Sequence, residues 1–244
     1  MDSLIGVVSP HAGLSCSGPF AALAFESLRR NVGKDDTIIV LGPNHTGMGA
    51  PLAIFPTPGN WETPLGEIQL DDPVARRLLE IGQNSEEELD LAFDSHAHVQ
   101  EHSIDNQLVF LKAILPEVRV VPICMMDQRP QICRKLGKIL ATVIKEIKNT
   151  YIIASSDMTH YVPHKQAEEQ DRQVLKVLTE MNLEEAIRIK NALDVSACGF
   201  GPILTLFTAA KESGKKKGIL LGYGTSGMTC GSKDAVVGYA SMAV

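Results

Sequence analysis

Thr37-Ile38-Ile39-Val40-Leu41-Gly42-Pro43-Asn44-His45 is an unbroken apolar run that ends in a glycine, a proline and a histidine. Strands buried on both faces of a parallel sheet read this way, whereas half-buried strands alternate apolar and polar residues. Leu4 to Val8, Val118 to Cys124, Tyr151 to Ala154 and Ile219 to Leu221 repeat the pattern. Between them, Pro19 to Arg30, Pro73 to Ile81, Ile104 to Leu115, Ile132 to Ile147 and Lys165 to Met181 carry helical spacing. Strand, helix, strand repetition predicts an α/β layered sandwich around a mostly parallel sheet. Ala235 to Ala243 reads as a last strand that pairs with the one near Leu220, giving the sheet an antiparallel edge.

Punctuation agrees with these elements. Pro116 closes one helix, and Pro130 and Pro202 suit the first turns of two others, where a missing N–H costs little. Asn182 ahead of Leu183-Glu184-Glu185 reads as an N-cap with acidic residues in the first turn. Pro51 to Leu70 and Asn84 to Glu101 break the alternation, and long loops of this kind often cover a site. The 244 residues show no linker and no repeat, so one domain spanning 1–244 is expected.

With 23 basic against 29 acidic residues the net charge is -6, which removes the electrostatic footprint of a nucleic-acid binder. Lys215 to Lys217 reads as a solvated turn before a strand. No stretch approaches the roughly 20 apolar residues that span a membrane. Met1-Asp2-Ser3 runs straight into the first strand without a basic leader, so the cytoplasm is the expected location. Five widely spaced cysteines, without a Cys-x-x-Cys pair, point to a reducing compartment rather than a disulfide framework.

Three histidines lie just past apolar strands: His11 after Ser9-Pro10, His45 after Gly42-Pro43-Asn44, and His160 after Ser155-Ser156-Asp157-Met158-Thr159. Loops leaving the carboxyl ends of parallel strands converge, and ligands bind there. Neutral imidazole is the commonest protein metal ligand. The pattern fits a metal site and also fits three ordinary loop histidines. A second cluster, Asp94-Ser95-His96-Ala97-His98-Val99-Gln100-Glu101-His102, has spacings that can bind zinc and is a rival location. It reads equally as a solvated helix entry, or as a source of groups (His98, Glu101, His102) that orient ligands or touch substrate. Cys198 precedes the helix near Pro202, where a helix N-terminus favours thiolate; Cys124 and Cys133 read as core, and Cys16 and Cys230 stay open.

Pro10-His11-Ala12-Gly13, Leu41-Gly42-Pro43-Asn44-His45, Trp61-Glu62-Thr63-Pro64-Leu65-Gly66, Glu101-His102-Ser103-Ile104-Asp105, Ser155 to His160, Ala197-Cys198-Gly199 and Val237-Gly238-Tyr239-Ala240 occur in order along the chain. Taken together they resemble the Memo family, whose fold is related to the class III extradiol ring-cleaving dioxygenases. The resemblance implies a three-layer α/β/α sandwich with a pocket at the strand ends. It also implies His11, His45 and Cys198 as metal ligands, the cysteine standing where the dioxygenases have a carboxylate. His160 would be the acid/base histidine, oriented by Asp157.

Thiolate is softer than carboxylate, so iron or copper is expected, with zinc possible, and catechol cleavage does not follow. The function implied is a metal-dependent oxidoreductase acting on an unknown small molecule. The alternatives are a binding module for a phosphorylated peptide or partner protein, since family members are described as adaptors, and a copper- or iron-sequestering protein. A radical S-adenosylmethionine protein is an implied partner. Family members usually carry an N-terminal extension ahead of the Pro-His loop, and its absence here would widen the pocket or alter an oligomer contact.

Overall fold

The computed structural model describes residues 4–84 and 89–244. The acidic run that opens the 84–101 segment lies outside them. The strands are β1 (Gly6–Ser9), β2 (Thr37–Pro43), β3 (Leu52–Ile54), β4 (Asn60–Thr63), β5 (Gly66–Gln69), β6 (Leu91–Phe93), β7 (Arg119–Met125), β8 (Thr150–Ser155), β9 (His160–Val162), β10 (Ile219–Thr225) and β11 (Val236–Ala243), and the apolar runs fall in β1, β2, β7, β8 and β10. The helices are α1 (Leu14–Arg29), α2 (Asp72–Asn84), α3 (His102–Ile114), α4 (Pro130–Glu146), α5 (His164–Thr179), α6 (Leu183–Ala192) and α7 (Phe200–Glu212).

The main sheet runs β10-β11-β1-β8-β2-β7-β3-β6, with β9 added beside β11. Its centre, β1-β8-β2-β7, is parallel throughout and carries four of the five apolar runs, whereas Ile219 to Leu221 lies in β10, an antiparallel edge strand on which Ile219 is exposed. The β10–β11 hairpin and the β11–β1 pairing supply the antiparallel edge expected from the sequence. A second antiparallel step, β7 against β3, lies on the other flank.

Successive residues of each central strand point to opposite faces. Ile39, Leu41 and Ile152 pack with residues of α2, α4, α5, α6 and α7, whereas Ile38, Val40 and Ile153 pack with α1, α3 and the β4–β5 hairpin. The result is a three-layer α/β/α sandwich. α7 is buried from Phe200 to Ala210, and α4 packs along it so closely that a Cβ on Gly137 would sit 2.7 Å from the Thr205 carbonyl.

The caps hold as read: Pro130 stands in the first turn of α4, Pro202 lies in the first turn of α7, and the Asn182 side chain accepts from the Glu185 N–H. α1 departs from the expectation, starting at Leu14 with Pro19 inside it. A proline that close to a helix start forfeits a single backbone bond, so it marks no boundary here. Pro51 to Leu70 is also ordered differently from a lid. It contributes β3 and the β4–β5 hairpin, and Trp61 is buried against Phe55 and His98 while donating to Asp105 at 3.0 Å.

Cys16 and Cys230, which the sequence left open, form a disulfide across a sequence separation of 214, against the expectation of reduced cysteines. Spacing carries no signal for a bond that α1 and the loop after β10 make only once the sheet has brought β11 and β1 side by side. Cys124 and Cys133 are buried and free, as read. No helix of the described residues is long and apolar enough to cross a membrane.

Candidate metal centre

β1, β2 and β8 are neighbours in the parallel centre, so the loops at their carboxyl ends open onto one edge. His11 and His45 meet there with ring centroids 5.3 Å apart. His102, in the first turn of α3, joins them: its ring stacks on His45 at 4.7 Å and lies 5.4 Å from His11. One nitrogen from each of the three lies within 4.8 Å of the others. Of the rival cluster, His102 and Glu101 thus belong to the same place as His11 and His45. Gly42 permits it, because a Cβ there would stand 2.5 Å from Ser103 Oγ and 2.6 Å from Ile104 Cγ1. β2 and the N-terminus of α3 thus touch backbone to side chain, and Ser103 Oγ donates to the Pro43 carbonyl at 2.9 Å.

Hydrogen bonds fix which imidazole nitrogen faces the cavity. Ser155 Oγ donates to the Ser103 carbonyl at 2.7 Å and accepts from Gln107 Nε2 at 2.8 Å. Its remaining capacity is as acceptor for His11 Nδ1 at 2.8 Å, so Nδ1 carries the proton and Nε2 presents a lone pair. His45 Nδ1 donates to Glu101 Oε1 at 2.9 Å, and His160 Nδ1 donates to the Ser196 carbonyl at 3.1 Å. All three rings are held as the same tautomer. Carboxylate and carbonyl partners of this kind orient metal-ligating histidines.

Burial lowers the His11 pKa to about 4, against the pull of Asp157, so the ring is neutral at pH 7. The His45 pKa is raised, chiefly by its bond to Glu101. Burial of Glu101 opposes its ionisation, yet the bonds from the His45 ring, the His45 N–H and the Ser103 N–H hold its carboxyl at about 2. Glu101 thereby caps α3 and aims His45 with one side chain.

Cys198 Sγ lies 3.3 Å from His11 Nε2, on the stretch between α6 and α7. Gly199 brings it there, since a Cβ at that position would meet the Ser155 carbonyl at 2.1 Å. The thiol is not the thiolate expected at a helix N-terminus. Burial, reinforced by the nearby Asp157 charge, pushes it up to about 12, so it donates to the His11 lone pair.

His11, His45, His102 and Cys198 line a cavity of about 450 Å³ together with Ala12, Asp157, His160, Tyr161, Ser196 and Val237. Asp157 does not orient His160. Its Oδ1 accepts from the backbone N–H of His11 at 2.8 Å and of Ala12 at 3.3 Å, fixing the Pro-His loop, while Ser196 holds His160. His98 is absent from the cavity lining. It is buried at 6% exposure with Nε2 on the Ala53 carbonyl, because the 3-10 turn His96–His98 aims it at Trp61 and Phe55.

Ser155, Gln107, Asn106 and Ser196 were not picked out by sequence reasoning. Asn106 Nδ2 donates to the His11 carbonyl at 2.6 Å and Gln107 Nε2 to the Pro10 carbonyl at 3.0 Å. Their signal was the placement of amides four and five residues after His102, on the helical face that carries His102 and Ser103.

A family model described as Memo-like protein matches residues 1–243. The chain belongs to the Memo-like family. A MEMO1 family protein of Methanopyrus kandleri is 40% identical over 242 residues, covering 98% of this chain and 83% of the relative. One of Methanococcus maripaludis is 39% identical over 246 residues, covering 98% and 84%. Another, from Pyrobaculum aerophilum, is 40% identical over 239 residues, covering 98% and 82%. Among solved structures, an uncharacterized protein of Escherichia coli K12 superposes with a TM-score of 0.68 at 15% identity, covering 99% of each chain. That likeness shows a shared fold. The cavity described above is thus carried by a Memo-like chain on the same sandwich.

Proposed function

We propose that this Memo-like protein is a metal-dependent oxidoreductase that acts on a small molecule at the cavity, using non-haem iron or copper, with zinc as a redox-inert alternative. His11 and His45 would hold the ion, with Cys198 as third ligand. The observation that carries this reading is the tautomer lock: two imidazoles, fixed through Nδ1 by Ser155 and Glu101, turn their Nε2 lone pairs into one cavity. The donor set fits such an ion. The Cys198 S–H points at the His11 lone pair across 3.3 Å, and two ligands of one zinc-sized ion lie about 3.5 Å apart. A cation would take the place of that proton. Mixed imidazole and thiolate ligation suits copper, zinc and iron.

When bound, the ion supplies Lewis acidity and, for iron or copper, electron exchange. The chain's own residues supply the rest. His160, fixed by Ser196, offers Nε2 as acceptor or donor of a proton on the bound molecule. Asp157 keeps the His11 loop in register from beneath. Recognition of a phosphorylated peptide has less support. No arginine or lysine is among the described residues that line the cavity, and Arg129, Arg134, Arg172 and Arg188 are paired with Asp127, Glu184, Glu168 and Glu185.

Elemental analysis of protein purified without chelator, beside the His11→Ala, His45→Ala double variant, tests the metal. Bound metal in the parent alone supports it, and equal, negligible metal in both sinks it. Oxygen uptake by the loaded protein across small redox-active molecules then separates an oxidoreductase from a sequestering protein. A His160→Ala variant that keeps its metal and loses uptake supports the proton role.

A further inference from the structure

Asp157 has one carboxylate oxygen to spare. Oδ1 accepts from the backbone N–H groups of His11 and Ala12, whereas Oδ2 accepts from none of the described residues and is not sealed off by them. The residue is otherwise sunk, at 5% exposure, and it lines the cavity. A carboxylate this buried costs free energy unless a positive group meets it. The chain supplies none there: no lysine or arginine lines the cavity among the described residues, and the His45 ring is taken by Glu101. Oδ2 is thus half of an ion pair, open toward the space where a ligand sits.

Apolar groups line the same space, namely Ala12, Val237 and the Tyr161 ring. Tyr161 is 79% exposed and has a φ of 59°, in the left-handed region that a bulky side chain seldom adopts. Strain of this sort is retained where a site uses it. Here it stands an exposed ring on the cavity wall, 5.7 Å from His160 and edge-on to it.

We propose that the cavity selects a small organic cation, a primary ammonium on a short aromatic or apolar body, with Asp157 Oδ2 accepting from the ammonium and Val237 and Tyr161 packing against the body. This names the substrate class for the function given above and rests on that reading for the chemistry, though not for the binding. A cavity of about 450 Å³ suits one ring with a short chain. Asp157 then has two duties, Oδ1 for the His11 loop and Oδ2 for the ligand. Anionic molecules of the same shape are turned away by the same oxygen, because no cationic side chain in the lining offsets it.

Three probes of one shape test it on full-length protein stripped of metal by chelator: phenethylammonium, 2-phenylethanol and 3-phenylpropionate, with dissociation constants from calorimetric titration. The ammonium is expected to bind at least about 10-fold more tightly than either of the others. Asp157→Asn keeps an oxygen for the His11 and Ala12 N–H groups and is expected to weaken the ammonium by about 10- to 100-fold, leaving the alcohol within about 3-fold of the parent. Tyr161→Ala, at an exposed position, is expected to weaken all three probes alike and keep their order. The carbon-13 shift of the Asp157 carboxyl, moved by the ammonium and not by the alcohol, gives the same answer in the unaltered protein should Asp157→Asn fail to fold. A parent without preference for the ammonium, a preference that survives Asp157→Asn, or a carboxyl shift that ignores the ammonium overturns the proposal. Because the protein carries no metal in these titrations, the result stands apart from the metal reading, which elemental analysis decides alone.

Discussion

His45 donates to Glu101 twice, from its backbone N–H and from ring Nδ1 at 2.9 Å, so one buried carboxylate fixes both the loop and the ring. The same carboxylate accepts from the Ser103 N–H at 2.9 Å and starts α3. Replacing it by the isosteric amide turns one of its oxygens into an N–H group facing another N–H. Glu101→Gln is expected to lower metal affinity by about 10- to 100-fold, the usual effect of losing a ligand-orienting partner. Titration with a chromophoric chelator measures it, and an unchanged affinity contradicts the role.

Gly199→Ala places a methyl carbon 2.1 Å from the Ser155 carbonyl oxygen. Backbone must move, and the Cys198 stretch is what moves. A loss of about 1–3 kcal/mol is expected from overpacking of this kind. Urea unfolding reads the loss, and the copper(I) affinity is expected to fall with it. A variant as stable as the parent would show that this approach is looser than the geometry requires.

Much of this was legible in the sequence, for identifiable reasons. β1, β2, β7 and β8 are buried on both faces, so their apolar runs are continuous and their ends can be read off. His11, His45 and His160 follow those ends directly. What escaped depends on contacts between distant residues. His102 seemed part of a separate cluster because only Gly42 lets α3 close on β2. His98, four residues from His102, looked equivalent to it, but a 3-10 turn sends its ring into the layer behind the cavity. The Cys16–Cys230 bond spans most of the chain, and local pattern says nothing about such a pair.

His98 also gives a pH dependence that does not involve the cavity. Burial holds its pKa at about 4, below the ordinary 6.5. Between those values the unfolded chain binds a proton that the fold excludes. The stability this contributes is fully present above about pH 6.5 and is lost as pH falls to about 4. His98→Gln, whose amide can still donate to the Ala53 carbonyl, is expected to flatten the metal-free protein's urea midpoint over that window, by up to about 1.4 kcal/mol per pH unit. Parallel midpoint curves for parent and variant would exclude His98 as a source of the slope.

The disulfide ties the first turn of α1, which follows the His11 loop, to the stretch that precedes β11 and Val237 of the cavity wall. Thr229 Oγ1 donates to the Cys16 carbonyl at 2.8 Å beside it. Denatured protein is expected to titrate three thiols without reductant, for Cys124, Cys133 and Cys198, and five after reduction. The Cys16→Ser, Cys230→Ser double variant should lose about 2–5 kcal/mol of stability. Five thiols before reduction would mean that the pair is not joined.

The most direct test is an anaerobic crystal structure of metal-loaded protein, with anomalous data collected at the absorption edge of the metal. A single peak is expected at about 2.0–2.2 Å from Nε2 of both His11 and His45. A peak bound elsewhere, or none between those two nitrogens at full loading, would contradict a metal centre at the strand ends.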